Sequence, residues 1–171
     1  GKDARVDASR SGKTDAAVDV DDDDKSSGPA ANPGTIPPVS IDGCKGGVLD
    51  DKTVAALSKG GDPAGARMVY PYDGTVFPRG IEGPLLMWEG MDEVDAVLVH
   101  IKSAAFEYRG CLKPTAPSEL QLPQDVWETA GDKTYGKKDP FVVELSLSAG
   151  GKVRGPYTVS YTHLTLPTTS R

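Results

Sequence analysis

Short segments of alternating apolar and polar residues occupy residues 67–157, and turn residues separate them about every 8–12 positions. The clearest covers 141–147, where Phe141, Val143, Leu145 and Leu147 point one way and the residues between them point the other. It runs into Ala-Gly-Gly-Lys at 149–152, which predicts a hairpin. A stretch of this size and spacing predicts two antiparallel sheets around one core, that is, a small β-sandwich.

Helices are expected to contribute little, because the chain has 20 Gly and 14 Pro among 171 residues and helix interiors exclude both. One short helix is predicted within 48–61, with Asp50 or Asp51 as N-cap and Gly60-Gly61 as the stop. Residues 124–130 are interpreted as a single helical turn. The predicted fold class is therefore mainly β with one short helix.

Composition divides the chain into four parts. Residues 1–41 form an acidic tether and a Pro/Gly linker that bury too little apolar area to order, so they are expected to be disordered. Residues 42–66 are a linker with the short helix, 67–157 are the β-sandwich, and 158–171 are a C-terminal tail. The run DDDDK at 21–25 suggests a calcium loop or a protease site, but contiguous acids favour a solvated tether.

Charge and apolar run length restrict the partners. The net charge of −6 argues against nucleic acid, whose phosphates attract clustered Lys and Arg. No apolar run reaches the ~18 residues of a membrane span, so any membrane attachment is expected only through a lost N-terminal anchor. Neither a cofactor nor a metal site is predicted.

Catalysis is not predicted either. His100 lies on the less apolar face of its strand, where a lone histidine is typically a rim residue. Pairing it with Cys111 is arbitrary, and Glu82, Glu89 and Glu93 lack the spacing of an acid–base pair.

Cys44 and Cys111 are the only two cysteines. A disulfide between them closes a loop of more than 60 residues and stabilises by roughly 4 kcal/mol in the chain-entropy model. It fits an exported protein, whereas two free thiols are the alternative.

Exposed aromatic side chains are the candidate ligand contacts. Most aromatics of so small a sandwich are expected in its core, and Tyr135 in the polar loop 131–139 is the best exposed candidate. Lys133 and Lys137 make that loop the most basic surface. The aromatic candidates are Tyr70, Tyr72, Phe77, Trp88, Tyr108, Trp127 and Tyr135.

Five motifs in order, YPYDGTVFPRG (70–80), PLLMW (84–88), FEYRGCLKPT (106–115), LPQDVW (122–127) and DPFVVEL (139–145), resemble an uncharacterised family of exported myxobacterial proteins. The resemblance spans residues 43–157 and implies an immunoglobulin- or fibronectin III-like module. In that family the module precedes a region similar to WD40- or TolB-like β-propellers. Cysteines of that family match Cys44 and Cys111, and this match supports a disulfide between them.

The end of the chain raises a separate question. The sequence TVSYTHLTLPT at 158–168 resembles a translated sequencing adapter, so 158–171 are expected to be non-native and His163 to carry no chemistry. The alternative is a genuine Thr-rich strand in which Val159, Tyr161 and His163 alternate.

The expected function is a non-catalytic β-sandwich module of an exported or cell-surface protein, acting as a spacer or binding platform. A carbohydrate- or peptide-binding module is one alternative, with polysaccharide or an envelope protein as partner. The other is a truncated accessory domain of a larger secreted propeller or redox protein.

Overall fold

The described part of the chain forms two β-sheets and two helices. The computed structural model describes residues 38–134 and 139–164. Its elements are β1 (Val39–Asp42), α1 (Asp51–Lys59), β2 (Arg67–Tyr70), β3 (Thr75–Pro78), β4 (Leu85–Glu89), β5 (Ala96–Lys102), β6 (Phe106–Leu112), β7 (Glu119–Gln121), α2 (Gln124–Lys133), β8 (Phe141–Ala149) and β9 (Lys152–Leu164).

The two sheets share one core, which is the arrangement expected for a β-sandwich. The larger sheet has six strands in the order β1-β6-β5-β8-β9-β3, and the smaller has three in the order β2-β4-β7. Val99 and Leu145 of the larger sheet and Leu86 of the smaller one belong to the same buried cluster, together with Val126 of α2. The prediction of a mainly β protein with two sheets is confirmed.

Strands β5, β8 and β9 form the antiparallel centre of the larger sheet. Val99 pairs with Leu145, and Phe141 pairs with Tyr161. The four apolar residues at 141, 143, 145 and 147 are all buried, as their alternation predicted. Gly150 and Gly151 have φ values of 55° and 81° and form the two-residue turn of the predicted hairpin.

The strand at each edge of the larger sheet pairs in parallel with its neighbour, which the local sequence does not predict. Strand β1 pairs with β6, and β3 pairs with β9. Composition predicts an unfolded linker at residues 39–41, yet these residues lie in β1, where Val39 and Ile41 pack against the core. Strand β1 is thus held by pairing with a strand more than 60 positions away, a contact that linker composition does not reflect.

Helix α1 covers part of the larger sheet's outer face, meaning the face turned away from the shared core. Asp50 is its N-cap and accepts a hydrogen bond from the backbone N–H of Thr53 at 3.0 Å, and Gly60 with φ 73° ends it. Leu57 packs in a second cluster with Ala96 and Leu98 of β5. Among the described residues, no helix is long and apolar enough to cross a membrane.

The expectation of one helix was wrong, because residues 124–133 form the ten-residue helix α2 rather than a single turn. Its N-cap is Pro123, which gives no side-chain hydrogen bond. Val126, Trp127 and Ala130 are buried in the shared core, and their spacing places them on one helical face. Packing against the core therefore stabilises α2 beyond the single turn that the local sequence predicts.

Residues 158–164 continue β9 beyond the expected end of the sandwich at 157. Val159, Tyr161 and His163 point into the protein and are buried, with Thr158, Ser160 and Thr162 between them more accessible. This is the alternation noted in the sequence. The adapter origin of the segment stays a prediction, and residues 165–171 lie outside the described residues.

Candidate functional site

The basic loop predicted at 131–139 is described at residues 131–134 and at 139, and its first three residues belong to α2 instead of a loop. Lys133 is the last residue of α2 and is exposed. Tyr135 and Lys137 lie outside the described residues, so their role stays a prediction.

The other aromatic candidates separate into a buried and an exposed group. Phe77, Trp88, Tyr108 and Trp127 belong to the shared core, as expected for most of them. Tyr70 and Tyr72 do not, because they are 37% and 73% exposed.

Tyr70 and Tyr72 form an exposed aromatic corner. Their ring centroids are 6.2 Å apart and their planes meet at 83°, so the edge of one ring faces the other. We refer to these two residues as the tyrosine corner. The described part has five exposed large hydrophobic residues, and four of them, Tyr70, Tyr72, Val76 and Ile81, fall within 70–81.

The turn that carries Tyr72 is fixed by hydrogen bonds. The carbonyl oxygen of Tyr72 accepts hydrogen bonds from the backbone N–H and the hydroxyl of Thr75 at 3.1 and 2.6 Å. The turn is also bonded to β9, because Asp73 Oδ1 accepts from the Ser160 N–H at 2.7 Å and the Gly74 N–H donates to the Ser160 carbonyl at 2.8 Å. The backbone next to the tyrosine corner is therefore held in place by hydrogen bonds within the turn and to β9.

Cys44 and Cys111 are joined as a disulfide, with their Sγ atoms 2.10 Å apart. Cys111 lies in β6 and Cys44 follows β1, the strand that pairs with β6. Both cysteines are buried, in the cluster that holds Leu57 of α1. The bond thus ties an edge strand and the covering helix to the larger sheet.

His100 lies between two carboxylates on the outer face of the larger sheet. Its Nδ1 is 3.0 Å from Glu144 Oε2 and its Nε2 is 2.9 Å from Glu107 Oε1. Each ring nitrogen therefore has a carboxylate oxygen within hydrogen-bonding distance. Lys102 Nζ donates to the other oxygen of Glu144 at 2.9 Å. Burial raises the pKa of Glu144, but the hydrogen bonds from Lys102 and His100 outweigh it and hold that pKa below its usual value.

His163, the other histidine of the chain, is a packing residue. Its ring centroid lies 4.7 Å from that of Trp127 and 4.9 Å from that of Phe141. Burial, reinforced by the guanidinium of Arg79, lowers the pKa of His163 to about 4. The ring is therefore neutral at pH 7 and part of an aromatic cluster.

Alternation in the sequence predicts that His100 and Glu144 lie on the outward faces of their strands, but it does not predict that the two residues are in contact. It also does not indicate a role for Glu107 or Arg109. The missing information was the register of β6, β5 and β8. Arg109 pairs with His100 across β6 and β5, and His100 pairs with Glu144 across β5 and β8. Alternation identifies the face of each residue, but only register identifies its neighbours.

Comparisons with protein-family models, with curated proteins and with solved structures found no match to this chain. Within residues 38–134 and 139–164, no three His, Cys, Asp or Glu side chains are grouped so as to hold a metal ion.

Proposed function

We propose that this chain is a non-catalytic β-sandwich module of an exported or cell-surface protein, and that it binds polysaccharide at the tyrosine corner. The observation that carries the proposal is the exposure of Tyr70, at the end of β2, and of Tyr72, on the hydrogen-bonded turn that follows. The immunoglobulin- or fibronectin III-like character and the relation to the myxobacterial family remain part of this proposal.

The size of the corner favours a sugar over a protein partner. A fully covered tyrosine buries roughly 150–250 Å², so two rings fall well short of the ~1,200 Å² of a stable protein interface. Tyrosine combines an apolar ring with a hydroxyl that forms hydrogen bonds, and this suits the C–H face and the hydroxyls of a pyranose. The fixed turn reduces the entropy lost when a ligand orders the rings.

Two further observations support an exported, non-catalytic role. A disulfide such as Cys44–Cys111 persists in oxidising compartments. Both ring nitrogens of His100 contact carboxylates, those of Glu144 and Glu107, which fits a structural role for this ring.

The test is retention of the full chain on insoluble cellulose, chitin, xylan and cross-linked polygalacturonate. We expect retention on at least one polymer, unchanged by Val48→Ala, which removes an exposed apolar side chain elsewhere. Tyr72→Ala should weaken binding at least about tenfold, as expected for a central aromatic contact, and Tyr72→Phe should keep most of it. If no polymer retains the protein, polysaccharide binding is wrong and the spacer role replaces it. Equal retention of Tyr72→Ala and the unaltered protein would move the site away from the corner.

A further inference from the structure

A cleft of about 490 Å³ lies on the outer face of the larger sheet, beside the C-terminal turn of α1. It is within the ~300–1,000 Å³ range of small-molecule sites. Leu57 and Leu98, both buried, give it an apolar floor. His100, Glu107 and Glu144 form part of its wall, and none of the residues that line it belongs to the tyrosine corner.

The carboxylates of this cleft already have hydrogen-bond partners. Glu107 is bonded to His100, and Glu144 is bonded to both His100 and Lys102. These contacts orient both carboxylate groups towards the centre of the network. An ionised carboxylate has about four acceptor positions, so each group keeps the capacity to accept from a ligand hydroxyl.

The two basic side chains that line the cleft, Arg109 and Lys59, are not paired with its carboxylates. Arg109 Nη2 donates to the Ser58 hydroxyl at 2.9 Å. Neither Arg109 nor Lys59 forms an ion pair with any residue in the described ranges. The lining holds two basic side chains, Lys59 and Arg109, and two acidic ones, Glu107 and Glu144. Both acids are bonded to His100, and Glu144 also to Lys102, so the half-buried guanidinium of Arg109 can donate to a carboxylate ligand instead.

We propose that this cleft binds a hexuronate, a monosaccharide that carries one carboxylate. The ligand's carboxylate accepts hydrogen bonds from Arg109 and forms an ion pair with Lys59. Ring hydroxyls donate to Glu107 and Glu144, and the C–H face of the ring covers Leu57 and Leu98. The three kinds of lining group, cationic, acidic and apolar, thus each meet a matching part of one ligand.

The test is calorimetric titration of the full chain with glucuronate, and with glucose, acetate and inorganic phosphate as separate arms. We expect glucuronate to bind at least about tenfold more tightly than glucose, which lacks the carboxylate, and than acetate, which lacks the ring. Phosphate binding as tight as glucuronate binding would overturn the assignment to a sugar acid and leave a simple anion site. An absence of glucuronate binding would overturn the proposal altogether.

Variants locate the site and separate its parts. Arg109→Gln should weaken glucuronate binding at least about tenfold, whereas Arg67→Gln, which removes an exposed arginine paired with Glu89, should leave it unchanged. Glu107→Gln should weaken glucuronate but not acetate, because only the sugar has hydroxyls to donate. If Arg109→Gln does not fold, Glu107→Gln and Lys59→Gln carry the test, and unchanged binding in both overturns the proposal.

This inference is independent of polysaccharide binding at the tyrosine corner. Tyr72→Ala should leave glucuronate affinity unchanged, since Tyr72 does not line the cleft. A loss of glucuronate binding in Tyr72→Ala would mean that the sugar acid sits at the corner and would overturn the cleft assignment.

Discussion

The side chain of Tyr108 folds back over Gly110, two residues further along β6, and fills the space that a Cβ at Gly110 would need. Both residues are buried, and Tyr108 belongs to the shared core. Alternation places positions 108 and 110 on the same face of the strand. The glycine is therefore required by the tyrosine and not by an unusual backbone angle.

Gly110→Ala should accordingly lower the free energy of unfolding by about 1–3 kcal/mol, the usual effect of overpacking a core. The matched control is Gly43→Ala, whose Cβ would meet its nearest atom, the Arg109 carbonyl oxygen, at an ordinary 3.4 Å. That control should change stability by less than about 0.5 kcal/mol. Urea denaturation measures both, and equal stabilities would refute the packing of Tyr108 over Gly110.

Reduction of the Cys44–Cys111 disulfide should destabilise the protein by about 2–4 kcal/mol, since the bond spans 67 positions and restricts the unfolded chain. Urea denaturation with and without reductant gives the difference. A Cys44→Ala, Cys111→Ala double variant should be insensitive to reductant. Two titratable thiols in denatured, air-oxidised protein would show that the bond is absent.

The burial of His163 should make stability depend on pH. Its pKa falls from 6.5 in the unfolded chain to about 4 in the folded protein, so below pH 6.5 the unfolded state binds the extra proton. The free energy of unfolding should therefore decrease as the pH falls from about 6.5 to 4, a window set by these two pKa values. His163→Phe keeps an aromatic ring in the cluster and should reduce this slope.

The difference between the two pH profiles isolates the histidine from carboxylates that titrate below pH 5. Parallel profiles for His163→Phe and the unaltered protein would show that residue 163 is not buried in β9. The same experiment thus reports whether the segment that resembles an adapter is folded into the larger sheet.

Much of the fold could be predicted because its signals are local. The β8–β9 hairpin follows from alternation and from Gly150-Gly151, and α1 follows from the Asp50 cap and the Gly60 stop. Strand β1 and the full length of α2 could not be predicted in this way. Their stability comes from residues distant in sequence, namely the β6 partner of β1 and the core that surrounds Trp127.

The candidate sites were less predictable for the same reason. Tyr70, Tyr72 and Tyr108 are chemically alike, and the run Tyr-Pro-Tyr does not alternate, so the sequence did not distinguish the exposed pair from the buried ring. The cleft combines side chains from α1, β5, β6 and β8. Its charge balance depends on which acid meets which base, and this is determined by register.

The most direct test of the central claim is an amide NMR titration of the full chain with a soluble oligosaccharide of whichever polymer retains it. We predict that the amide signals of Tyr72, Asp73 and Gly74 shift most and saturate together. In the Tyr72→Ala variant the ligand should no longer cause these shifts, and the signals of residues elsewhere in the chain should match those of the unaltered protein. Shifts confined to residues outside 70–76, or no saturable shift at all, would contradict polysaccharide binding at the tyrosine corner.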